Sequence, residues 1–169
     1  MTLRDTLAFR TVLAAAHQRP GADERRCEVV LEFLSAAITV RAALQREFAA
    51  IGLSEAKVRA LIALFALDPA PLTAGDLAAH AGTTRSGITG IVDELQARGI
   101  VRRRRDPHDR RGWVIALTAT GREIADVALN RLLTSLGRVA RQLPAAGAAA
   151  LPAYCRRLEA GCTQLPSVS

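Results

Sequence analysis

Seven arginines stand against two aspartates between positions 98 and 111: Arg98, Arg102, Arg103, Arg104, Arg105, Arg110 and Arg111 facing Asp106 and Asp109. Guanidinium groups at that density make and break no bonds; they hold polyanions, above all phosphodiester backbones. Just upstream, Thr84, Arg85, Ser86 and Thr89 open a segment of helical periodicity. Small hydroxyls and a guanidinium at a helix N-terminus are the groups that approach phosphates and base edges, and Gly87 and Gly90 leave room for close backbone approach. A solvated charged face is the bland alternative for such an arginine run. Its position beside two short helices outweighs that reading.

Other chemistry finds little support. No nucleophile stands beside a base, and there is neither a glycine-rich phosphate loop nor a Gly-x-Ser-x-Gly elbow, so no enzyme and no cofactor are expected. His17, His80 and His108 are dispersed, which gives no metal site. Cys27, Cys155 and Cys162 form an odd set without paired spacing and read as reduced thiols. Cys155 and Cys162 would lie about 10 Å apart along one helix, too far for a disulfide or a shared zinc, whereas Cys27 could meet one of them across a dimer.

The composition agrees with a polyanionic partner. The chain of 169 residues carries a formal net charge of +7 and a pI near 10.8, while residues are 50% apolar and only 4% aromatic. That balance favours helices packed on helices with few strands. Charges at Arg4, Asp5 and Arg10 interrupt the first apolar run, so a signal peptide or spanning helix is not expected; the expectation is a cytoplasmic protein without a membrane partner.

The elements that must position the arginines follow from periodicity and caps. One short helix is expected over Thr2 to Gln18, stopped by Pro20 and Gly21, and one long helix from Asp23 to about Ala50. Ser54 starts a third helix, and Thr73 with Asp76 forms a capping-box pair opening a fourth that Gly82 closes. Thr84 caps the next, whose Ile88, Ile91, Val92 and Leu95 lie at i, i+3, i+4 and i+7 and face the core, and Gly99 ends it. Ile100 to Arg105 and Trp113 to Leu117 flank a turn-rich tip and read as a two-stranded hairpin, with Trp113 packed against the domain. Alternation along that strand sets Arg102 and Arg104 on one side and Arg103 and Arg105 on the other, so at most one pair can lie along DNA. A long helix follows from Thr118 to about Gln142, and a last one to about Cys162, which Pro152 should kink or delay.

Two short helices with a basic hairpin after them resemble the MarR-type (multiple antibiotic resistance) regulators, across LTAGDLAAHAGTTRSGITGIVDELQARGIVRRRRDPHDRRGWVIALTATG. The hairpin segment DPHDRRGWVIALTATG, at its distance from the helix-turn-helix, is the specific part; outside roughly residues 54 to 135 the likeness is one of helical layout. The resemblance implies a mainly α fold: a winged helix-turn-helix with a two-stranded β-wing, flanked by N- and C-terminal dimerisation helices. The corresponding division is 1–53 N-terminal dimerisation helices, 54–118 winged DNA-binding domain and 119–169 C-terminal dimerisation helices.

It implies further that Arg111 enters the minor groove with Asp109 orienting it, joining Thr84, Arg85, Ser86, Thr89 and Arg104 as DNA contacts. Gly90 and Glu94 depart from the basic residues frequent there. The partners implied are a second copy of the chain, a pseudo-palindromic double-stranded DNA operator, and a small apolar or phenolic effector that releases a repressor from it. An effector pocket would draw on Phe33, Phe48, Val58, Ile62 and Phe65, residues that also suit an ordinary core. The alternative is a thiol-based redox-sensing regulator of the same fold.

Overall fold

In a computed structural model of the chain, residues 2–70, 72–106 and 112–165 are described. The chain forms two compact units, Met1–Leu132 and Leu133–Ser169.

The first unit begins with a 3₁₀ turn, Leu3–Asp5, then α1 (Leu7–Gln18) and α2 (Glu24–Ala49). The single first helix expected from periodicity is broken at Thr6. Its backbone is extended and its side chain accepts a hydrogen bond from the Phe9 amide, so α1 acquires its own cap. Asp23 caps α2 through the Arg26 amide at 3.0 Å. Ser54 caps α3 (Glu55–Leu67), which leads into the short β1 (Leu72–Thr73).

Next come α4 (Ala74–Ala81), α5 (Arg85–Ala97), β2 (Val101–Arg105), β3 (Trp113–Leu117) and α6 (Ala119–Ala140). Thr73 and Asp76 close the capping box of α4, and Gly82 ends that helix at φ +61°, a left-handed conformation that turns the chain directly into α5. Thr84 caps α5 by accepting from the Gly87 amide at 3.1 Å.

The sheet has three strands in the order β1-β3-β2, not the two of the hairpin alone. Leu72 pairs with Ile115 and Thr73 with Val114, both antiparallel. Two residues are too few to show the period-two alternation that marks a strand, so β1 leaves no pattern to read. It forms because β3 has a second edge to satisfy and Leu72 joins the core. Trp113 also departs from expectation: it is 50% exposed and stacks under Arg105, its partner across the hairpin, with the guanidinium 4.3 Å from the ring centre.

One core runs through this unit. Val58, Leu61 and Leu64 of α3 meet Leu77 of α4, Ile88, Val92 and Leu95 of α5, Val101 and Leu117 of the sheet, and Ala125 and Ala128 of α6. The inward face expected of α5 is that core face, with Ile91 at its partly buried margin.

The wing, the end of α5 and the start of α6 are tied at one carbonyl. Ile100 O accepts from the Thr118 amide and from Thr118 Oγ1, both at 3.1 Å, while the same hydroxyl also reaches Gly99 O at 2.7 Å. Thr118 Oγ1 in turn accepts from the Gly121 amide at 2.9 Å, capping α6.

The second unit holds the end of α6 and α7 (Ala145–Thr163). Pro144 is the residue before α7, which starts at Ala145 and runs through Pro152; the delayed start expected from that proline does not occur.

A β-carbon at position 121 would lie 2.0 Å from Ile100 O. Gly121→Ala therefore forces α6 away from the wing's base. We expect a loss of stability on the order of 1–3 kcal/mol by thermal or urea unfolding, and an unchanged midpoint would refute the close approach.

Candidate nucleic-acid interface

The site is built on α5, presented by the turn from α4. Arg85, Ser86, Thr89 and Gly90 are exposed, whereas Ile88 and Val92 on the opposite face are buried. The hydroxyls are ordered locally: Thr84 Oγ1 lies 3.1 Å from Ser86 Oγ, and Thr89 Oγ1 donates to Arg85 O at 2.9 Å. Thr84 thus serves first as a helix cap. The Arg85 guanidinium makes no hydrogen bond or ion pair with any described residue.

Several members of the arginine run already have occupations. Arg98 Nη1 donates to Gly52 O at 2.8 Å, tying the end of α5 to the loop before α3. Arg103 crosses to α5, Arg105 covers Trp113, and Arg102 and Arg104 are exposed, their side chains without a hydrogen bond or ion pair among the described residues. The alternation expected along β2 is what sorts them. Asp109, Arg110 and Arg111 lie outside the described residues, so their sequence-based assignments are not located here.

The carboxylates of α5 were not assigned a part by sequence reasoning, and each has a cationic partner. Asp93 pairs with Arg103 at 2.5 Å, and Glu94 with Lys57 of α3. Lys57 is the only lysine in the chain, which was the one available hint of a particular placement.

The expected effector residues separate. Phe48 and Val58 are buried in the core, Phe33 is half-buried on α2, and Phe65 packs against the core margin. Ile62 alone of the five lines the cavity of about 490 Å³ formed with Arg59, Ala63, Ala66, Leu67, His80 and Leu132. Arg59 and His80 put two nitrogen-bearing side chains on otherwise apolar walls, and neither was singled out for this from the sequence. The cysteines are free, Cys27 and Cys155 half-buried and Cys162 exposed. Among the described residues no group of side chains could hold a metal ion, and no helix is long and apolar enough to cross a membrane.

A capped helix, a tight turn, a second helix with a polar outer face and a basic hairpin make a winged helix-turn-helix, the class of fold used by many transcription regulators. Residues 51–112 match the model described as the MarR family, and the winged domain of this chain is similar to that family. The transcriptional repressor YetL of Bacillus subtilis (strain 168) is 29% identical over 122 residues, 72% of this chain and 73% of its own length. Two further curated regulators match over only 38% and 41% of their lengths.

Among solved structures, a MepR–DNA complex from Staphylococcus aureus superposes with a TM-score of 0.67 at 16% identity, covering 76% of this chain and 94% of that one, a likeness of fold. CouR from Rhodococcus jostii RHA1, bound to p-coumaroyl-CoA, gives a TM-score of 0.63 at 26% identity, over 84% of this chain and 96% of that one.

Two predictions come from α4 and α5. Hydrogen bonds from the Thr73 side chain and then its backbone amide hold the Asp76 carboxyl below its ordinary value of 3.8. Folding favours the ionised form, so this contribution is complete above the ordinary value and is lost as pH falls through the lowered one. Carboxyl NMR titration should place Asp76 below 3.8, and Thr73→Val should bring it back up.

Gly90 is exposed in mid-helix with nothing within 4 Å of an added β-carbon. Gly90→Ala should stabilise the fold by about 0.5–1 kcal/mol yet weaken DNA binding by crowding the outer face, as read by unfolding and by titration with DNA. A gain in affinity would argue against that face.

Proposed function

We propose that the chain works as a homodimeric repressor that reads a pseudo-palindromic site in double-stranded DNA and leaves it when a small effector binds. The observation that carries this reading is the division of the polar groups on the winged domain. Arg85, Ser86 and Thr89 stand outward on α5, and Arg102 and Arg104 stand outward on the wing, while Arg98, Arg103 and Arg105 are occupied within the protein. Uncommitted cations beside a helix N-terminus suit phosphates, and the hydroxyls suit base edges. The resemblance of the sequence between the two wing strands adds Asp109 and Arg111 to the set, as an arginine that reads minor-groove width and the carboxylate that orients it. The capture of DNA by the structurally similar MepR and the repressor role of YetL support the same assignment.

The two-fold arrangement rests on apolar side chains left outside either unit's core. On α2, Val30, Leu34 and Ile38 recur every fourth residue and are exposed; in the second unit Leu133, Leu136, Val139 and Leu143 are exposed too. Stripes of this size call for cover, and a second copy supplies it. The effector would occupy the cavity beside Ile62, whose walls suit an apolar or phenolic molecule with its oxygen toward Arg59 or His80.

Selection of bound sites from random DNA should return an inverted repeat with half-sites about 10 bp apart, and light scattering should give the mass of a dimer. Arg104→Ala should weaken binding and lower the salt slope by about one, and Arg111→Ala should cost far more than Arg110→Ala. A monomer, or a consensus without inverted symmetry, would overturn the dimeric reading.

A further inference from the structure

Arg103 is the middle residue of β2, and alternation points its side chain to the same side as the buried Val101, toward α5. There its guanidinium spans one helical turn of α5. Nη2 reaches Asp93 Oδ1 at 2.5 Å and Nη1 reaches Gln96 Oε1 at 3.0 Å. A planar fork with two separated donors holds the two acceptors in one fixed orientation, whereas an ammonium would have to reach both from a single nitrogen. The carboxylate it holds belongs to the helix that we assign to DNA, where a bare negative charge would repel phosphates. Asp93 is 58% exposed at its side chain, so burial does not account for its presence.

We infer that Arg103 and Asp93 together form a positioning brace: Arg103 touches no DNA but locks the wing to α5, so that helix and hairpin meet the duplex as one rigid surface. This rests on the DNA-binding reading above and adds to it a division of labour inside the arginine run. Arg102 and Arg104 face out, and Arg103 faces in. The arrangement orders the wing before DNA arrives, so that ordering does not have to be met from the binding free energy.

Simple charge counting and the brace disagree about one variant. Removing the carboxylate in Asp93→Asn takes a negative charge away from the DNA side and on charge alone tightens binding. A brace makes the same change weaken it.

The test measures operator affinity at several salt concentrations for Arg103→Ala, Asp93→Asn, their double variant and the charge exchange Asp93→Arg with Arg103→Asp. Hydrogen exchange of the β2 and β3 amides in the free proteins is measured alongside, and Gln96→Leu serves as a milder lesion. We expect about tenfold weaker binding for each single variant, no further loss in the double variant, partial rescue in the exchange, an unchanged salt slope and faster wing exchange. Tighter binding by Asp93→Asn, or a slope reduced by about one in Arg103→Ala, would overturn the brace and make Arg103 a phosphate contact. Should the unmodified protein bind no DNA, the proposed function fails, and the exchange data alone decide: wing amides as slow in the variants as in the parent refute the brace.

Discussion

The carbonyl of Ile100 is the point on which the winged domain is assembled. It stands where α5 has just ended and β2 is about to begin, and it takes two hydrogen bonds from Thr118, the residue at which β3 has ended and α6 begins. A backbone group buried at such a crossing must be satisfied there or left costly. Thr118 does this with its amide and hydroxyl, and spends the hydroxyl's remaining capacity capping α6 through Gly121. The lack of a side chain at 121 lets the helix come close enough for this to happen. Helix α5, the hairpin and the long helix α6 thus share one origin, and the reach of the wing is measured from it.

From that origin outward, contacts of charge set the remaining angles. Arg98 fixes the end of α5 to the loop at Gly52, Lys57 meets Glu94 between α3 and α5, and Arg122 grips Asp68 with Nε and Nη2 at 2.9–3.2 Å, joining α6 to the end of α3. Such pairs are individually weak at a surface. Their value here is directional, since each joins two elements that the apolar core alone would allow to slide. A basic sequence therefore spends much of its charge on itself, and net charge overstates what is free for a partner.

The helices were legible because their signals are local. Ser54, Thr73 and Thr84 each cap the helix expected of them, and Gly82 ends α4 in the conformation for which glycine is suited. Ile88, Val92 and Leu95 face inward as their spacing required. What escaped reading depends on partners distant in sequence. β1 exists through β3, about forty residues later. Trp113 lies outward because a guanidinium covers it, and Leu132 comes to line the cavity with residues of α3 and α4. Phe48 and Val58 could not be divided from a ligand pocket by hydropathy, because core and pocket walls are made of the same residues.

Lys57 gives the molecule a chemical singularity. In a chain where every other cationic side chain of the Lys and Arg class is arginine, it is the sole ε-amine, and its side chain is only 18% exposed. Acylation of side-chain amines, which passes over guanidinium groups, has one internal address on this protein, and that address is the joint between α3 and α5. Neutralising it would leave Glu94 on α5 without its cationic partner. Lysine acylation is confined here to a single event, whose electrostatic effect falls at Glu94 on α5.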